Sequence, residues 1–294
     1  EICLDLGAIR EPISFWHYNI YLKEGNDLIG RFLFINSCNP GWLETGIYLV
    51  KTARQKGFGT EVLSAMLNNV VHPALGKPFF TDATQDVEIG YEMLIADHLK
   101  VTRHPIFRGV YAKADNFDNA GSLAVHHRAG YKIQWVNHIP FMLYPSEDHQ
   151  CLSESHVSAL LEITRLFSSM SAMIRYLQSR SSEDTSSVHL DRNTHIGLLK
   201  LKEFKEENDQ VLENLKTLFE TDQPHTLLSA LDLWISLDAN PEELKKLIFP
   251  DKAARILMLS ETQSDLYDVN TSMWIKGLIS QHRAVLDSLV NPKK

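Results

Sequence analysis

The sequence predicts an α+β chain that mixes strands with helices in its first half and continues as helices alone. Three observations carry this. Of the 14 glycines, 12 lie at or before Gly130 and only Gly197 and Gly277 follow; glycines gather where a backbone turns tightly or approaches a ligand closely. Aromatic and β-branched runs bounded by turn residues lie before Pro145, whereas apolar residues beyond it recur at helical spacing. The 294 residues also suffice for about two domains. The expected division is 1–145 and 146–294.

Taken in order, Ile13 to Leu22 and Leu28 to Ile35 read as a β-hairpin around the turn residues Glu24-Gly25-Asn26-Asp27. Trp42 to Val50 is a third strand. Gly57-Phe58-Gly59 then breaks the pattern, and Val62, Leu63, Met66, Leu67, Val70 and Val71 recur as on a helix. Pro73 and Pro78 are expected to end that helix and open an insertion at about 73–105, with an inner helix carrying Val87, Tyr91, Leu94 and Ile95. Phe107 to Ala112 is strand-like, Asn119 to Ala129 a short helix, and Tyr131 to Val136 with Ile139 to Tyr144 a closing pair of strands.

Beyond Pro145, one apolar stripe runs from Val157 through Leu160, Phe167, Met170 and Ile174 to Leu177, and a second from Phe204 to Leu218. Ser179 to Ser187 reads as a flexible link. Leu227 to Leu237 is a further helix, and Asn240-Pro241-Glu242-Glu243 combines an N-cap with a first-turn proline. Pro250-Asp251 starts a short helix, and Leu266 to Leu289 one long last helix. No period repeats, so a solenoid is not expected. Trp16, Trp42, Trp135, Trp234 and Trp274 are expected in the core.

Net charge is -8, with 13 basic against 14 acidic residues before Pro145 and 16 against 23 after it. Neither half offers a general basic surface, so no nucleic-acid partner is expected. Cys3, Cys38 and Cys151 are too few and too scattered for a disulfide framework or a thiolate metal site, which suits a reducing, cytoplasmic compartment. No apolar run approaching the roughly 18 residues of a membrane span is expected, nor a signal sequence, so no membrane partner is expected. The first residue is Glu1, so the chain is read as processed or trimmed.

The strongest chemical signal is Tyr48-Leu49-Val50 followed by Arg54-Gln55-Lys56-Gly57-Phe58-Gly59-Thr60-Glu61 and an amphipathic helix. A glycine turn between a strand and a helix N-terminus gathers unpaired N–H groups, and the helix dipole adds positive charge. Arg54 and Lys56 strengthen that anion site, with a pyrophosphate as its expected guest. Val62 replaces the third glycine of a dinucleotide fingerprint, and the lysine step of a nucleoside-triphosphate loop is lacking. A merely tight strand-to-helix turn is the plainer alternative.

Arg54-x-x-Gly57-x-Gly59 after a strand resembles the acetyl-CoA loop of the GNAT superfamily of N-acetyltransferases, and Thr60-Glu61 its ribosomal-protein acetyltransferase branch. Asn119-Ala-Gly-Ser122-Leu-Ala-Val125-His-His-Arg128-Ala-Gly130-Tyr131 resembles that branch's second signature, in the expected order and place. The likeness covers about Leu28 to Tyr144. It implies a mixed, mostly antiparallel sheet flanked by helices, acetyl-CoA as cosubstrate, and no metal. It further implies that Ile47, Tyr48, Leu49 and Val50 meet the pantetheine arm while Arg54, Gln55, Lys56, Gly57, Phe58, Gly59 and Thr60 surround the pyrophosphate. Asn119 either supports the cofactor arm or caps its helix.

Acyl transfer to an amine needs a base, a donor for the carbonyl oxygen and an acid for the departing thiolate. Leu43-Glu44-Thr45-Gly46-Ile47-Tyr48 resembles the superfamily's strand in which a glutamate precedes a glycine and an aromatic, and Glu44 and Gly46 share a strand face, so the resemblance implies Glu44 as the first candidate base, with a solvated surface acid as the alternative. Glu88 and Glu92, in Glu88-Ile-Gly90-Tyr91-Glu92, are rivals but lie after the loop. Ser122 is the acid that the resemblance implies, and His126 stands where other branches carry a tyrosine; an ordinary packing histidine is its alternative. His126 and His127 cannot face one metal from one side of a helix. Gly130 either ends the helix in a left-handed turn or belongs to the motif, and both readings can hold.

Only 12 residues precede Ile13, where the superfamily has a strand and two helices roofing the acceptor. The roof is therefore expected from a trimmed segment, the 73–105 insertion, the helical half or another subunit. The reading is an N-acetyltransferase acting on an amine of a protein, peptide or small-molecule acceptor, with helices that bind the acceptor or a protein partner. The alternative is a non-catalytic acyl-CoA-binding or protein-interaction module.

Overall fold

The computed structural model describes residues 2–6, 15–36, 41–77, 106–114, 119–145, 151–180, 190–260 and 269–291. Strands β1 (Ile2–Leu6), β2 (Phe15–Leu22), β3 (Leu28–Asn36) and β4 (Trp42–Leu49) pair antiparallel in sequence order, and β4 pairs parallel with β5 (Gly109–Lys113). With β6 (Lys132–Val136) and β7 (Ile139–Tyr144) the order is β1-β2-β3-β4-β5-β7-β6, a mixed and mostly antiparallel sheet in an α+β chain. The β2–β3 turn uses the expected residues: Gly25 and Asn26 are both left-handed. Strand β1 was not foreseen, being a short terminal run without flanking turn signals. The inserted helix, with Glu88 and Glu92, and positions 181–187 of the expected serine-rich link lie outside the described residues, whereas Ser179, its expected start, belongs to the helix Glu154–Arg180.

The chain forms two compact units whose boundary passes through β5, the signature helix and β7: residues 1–112, 125–131 and 142–146 in one, 113–124, 132–141 and 147–294 in the other. In the first unit, Ile20, Phe32, Phe34 and Leu43 of the strands are buried together with Val62, Leu63 and Met66 of helix α1 (Phe58–Met66). The helix runs one residue past Pro73 and ends before Pro78, between the two prolines expected to stop it. A wider turn at Leu67–Val71, closed by His72 N–H to Leu67 C=O, carries the chain into His72–Ala74 with Pro73 inside it. Widening relieves the clash of a proline ring with the carbonyl four residues back.

The signature helix α2 (Ala120–Ala129) precedes the β6–β7 hairpin. The second unit holds α3 (Glu154–Arg180), α4 (Arg192–Leu199), α5 (Lys205–Phe219), α6 (Pro224–Ser236), α7 (Pro241–Leu247), α8 (Pro250–Met258), α9 (Val269–Gln281) and α10 (Arg283–Val290). Burial along α3 runs from Val157 to Ser171, where the Ser171 hydroxyl lies 2.8 Å from His195 Nε2 of α4; the expected stripe continues further, but Leu177 is exposed. By length and composition α3 is apolar enough to cross a membrane, which corrects the expectation that no such run exists. The expected long last helix is two, broken at His282, whose side chain turns inward to Asp232. Trp135 and Trp234 are buried as expected, whereas Trp274 is exposed.

Candidate functional site

The strand–loop–helix segment is built by β4, a single tight turn at Lys51–Ala53 and α1. Gly57 caps α1 with φ 86°, a conformation that side chains with a Cβ resist, and a Cβ placed there would meet nothing within 4 Å. The glycine therefore serves the backbone turn and leaves open space beside it. Gly59 is buried for a different reason: a Cβ there would stand 3.1 Å from Val125 Cγ1 on the signature helix. Thus the two predicted motifs meet, through Gly59 and Val125, within one compact unit.

The first bond of α1 runs from Glu61 N–H to Gly57 C=O. The N–H groups of Phe58, Gly59 and Thr60 precede it and have no acceptor within the helix, so they point along its axis with the positive dipole end. Gln55 (φ 61°) turns the loop before Gly57, and Arg54, Gln55 and Lys56 are exposed. Arg54 lies over the Tyr48 ring at 5.7 Å and donates from Nε to Leu49 C=O at 2.9 Å. Its guanidinium is thereby held near the loop.

Pairing between β4 and β5 covers three positions, Trp42–Gly109, Leu43–Val110 and Glu44–Tyr111. Strand β4 continues to Leu49. Val50 N–H donates to Ile29 C=O on the β3 side, so by alternation Ile47 and Leu49 turn their amides to the other edge. Those residues lie beyond the last position paired with β5. An extended ligand carrying its own amide groups can pair with such an edge as an added strand.

Glu44 sits where that pairing ends, half-buried, and its Oε2 accepts a 3.1 Å hydrogen bond from the Tyr111 hydroxyl. Thr45, on the opposite face, is buried, donates to Tyr111 C=O at 3.2 Å and lies 3.2 Å from the Tyr131 hydroxyl. Burial raises the Tyr131 phenol well above its ordinary value, so it stays protonated. His126 is buried edge-on to Tyr131, with ring centroids 4.9 Å apart. Glu44, Thr45, Tyr111, Tyr131 and His126 therefore form one connected set. Tyr111 and Thr45 were missed because only the β4–β5 register brings them beside the foreseen residues.

Asn119 is a helix cap: its Oδ1 accepts from Ser122 N–H at 3.1 Å. At the other end Gly130, at φ 103°, donates to His127 C=O and Tyr131 N–H donates to His126 C=O, the paired bonds of a left-handed helix stop. Both capping alternatives thus account for these motif residues. Ser122 is half-buried and counts with the second compact unit, whereas His126 counts with the first. Among the described residues no group of three or more His, Cys, Asp or Glu side chains is arranged to hold a metal ion.

No protein-family model matches the chain, and no curated protein is significantly similar to it.

Proposed function

We propose that the chain is an acetyl-CoA-dependent N-acetyltransferase of GNAT type that works in a cytoplasmic compartment. The observation that carries this reading is the continuous run from the outward-facing amides of Ile47 and Leu49, through the left-handed Gly57, to the N-terminus of α1. It offers an edge for an extended amide-bearing arm and, next in sequence, amides and cations for a pyrophosphate. The open space at Gly57 suits close approach of that anion. Acetyl-CoA supplies an activated thioester when bound. Glu44 takes the proton that the attacking amine loses as its nitrogen–carbon bond forms, and the departing sulfur takes up a proton as its bond to the acyl carbon breaks. Tyr111 orients the Glu44 carboxylate through its hydroxyl.

Millimolar acetyl-CoA is expected to raise the melting temperature; at about 100 times the dissociation constant the gain is roughly 2.7 kcal/mol. Gly57→Glu places a carboxylate at the pyrophosphate position and should remove that gain. An unchanged melting temperature of the natural chain sinks the reading. A second reading, a non-catalytic acyl-CoA-binding or protein-interaction module, is favoured by the burial of His126 against Tyr131. Turnover assays across amine, peptide and aminoglycoside acceptors separate the two: cofactor binding without transfer selects the module.

A further inference from the structure

The β6–β7 hairpin turns at Asn137 and His138, with φ 50° and 63°, and its tip meets one face of α6 within the second compact unit. Along α6, Thr226, Ser229, Asp232 and Ser236 recur at helical steps and form a polar stripe on a leucine-rich helix. The hairpin uses that stripe. Thr226 Oγ1 donates to Trp135 C=O at 3.4 Å, and His138 N–H donates to Ser229 Oγ at 3.4 Å. His138 Nε2 then lies 2.7 Å from Asp232 Oδ2.

Two further elements converge on the same carboxylate. His282, between α9 and α10, brings Nε2 to 2.7 Å from Oδ1, and Arg192 of α4 pairs with Oδ2 and donates to Ser236 Oγ at 2.9 Å. Asp232, His138 and His282 are only 1%, 6% and 4% exposed. The charged and titratable groups facing Asp232 are thus His138 from the hairpin, His282 from the α9–α10 junction and Arg192 from α4. One carboxylate faces one guanidinium and two imidazoles. A proton added to the His138 ring places a further buried positive charge beside Arg192.

We infer that the Asp232 cluster is an acid-sensitive latch, fastening the β6–β7 hairpin to α4, α6 and the α9–α10 junction near neutral pH and releasing it when His138 takes up a proton. Burial holds His138 below its ordinary 6.5, opposed by its bond to Asp232 and reinforced by Arg192 and His282. The released hairpin therefore binds a proton first. The latched state keeps its full stability above about 6.5 and loses it as pH falls from there towards the depressed native value.

Hydrogen exchange in the full chain, corrected for its intrinsic pH dependence, tests this with peptides covering 132–144 against peptides of α5. Between about pH 7.5 and pH 5.5 the hairpin should lose protection by up to roughly tenfold per pH unit, and α5 should not follow. His138→Gln with His282→Gln retains donors to Asp232 but cannot titrate, and should abolish the difference. Equal pH dependence of hairpin and α5, or an undiminished acid loss in the double variant, overturns the latch. Should that variant not fold, His138→Gln alone should abolish most of the difference, and an undiminished acid loss overturns the latch.

Discussion

Glu44 and Asp232 are both half-enclosed or enclosed carboxylates at the meeting of a strand element and its neighbours, yet they are built oppositely. Asp232 is fully buried and receives two imidazoles and a guanidinium, so its oxygens are committed to protein partners. Glu44 is half-buried at the point where β4 parts from β5. Its Oε2 accepts from the Tyr111 hydroxyl. Burial alone would raise the Asp232 pKa, but the bonds from His138 and His282 hold it well below the usual carboxylate range. A carboxylate buried in this way is a structural anion, whereas the half-buried Glu44 at the strand edge is the one proposed to take a proton from a substrate.

The comparison breaks most easily at its buried end. Asp232→Ala leaves Arg192 and two imidazoles around an emptied position and should cost about 3–5 kcal/mol in urea unfolding. A loss below about 1 kcal/mol would place the cluster among ordinary surface pairs. Glu44→Gln keeps the shape and removes the base: acetyl transfer should fall on the order of 100-fold or more, while unfolding free energy moves by no more than about 0.5 kcal/mol. If transfer persists, Glu44 is a strand acid and nothing more. The smallest effect is expected at Tyr111→Phe, which deletes the hydroxyl aimed at Glu44. It should lower kcat by an amount worth about 1 kcal/mol without altering acetyl-CoA binding. An unchanged kcat removes the positioning role.

Elements whose signal is local were readable from the sequence. The β2–β3 hairpin, β4, α1 and the β6–β7 pair follow from alternation, glycine turns and helical spacing, and the Asn240 cap accepts from Glu242 N–H as its motif suggests. Helix α4 escaped because it is short, although Asp191 capping Thr194 N–H at 2.8 Å had announced it. What could not be read is long-range. The Glu44–Tyr111 register, and the meeting of Gly59 with Val125, each depend on segments more than 60 positions apart in sequence. The polar stripe of α6 was visible in the letters, but its use required knowing that a hairpin tip would lie on it. The Pro73 turn shows a local rule bent by local geometry: the helix widened and passed the proline.

The three-position pairing of β4 with β5 also acts as a ruler. From Glu44 to Leu49 the strand advances five residues, roughly 17 Å at about 3.3 Å each. On the proposed reading a guest aligned there would be measured by the main chain, so its length and amide spacing would be selected while the identities of Ile47 and Leu49 would be left free to drift. Mutational tolerance along this edge, combined with intolerance to shortening the strand, would be the genetic trace of such a gauge.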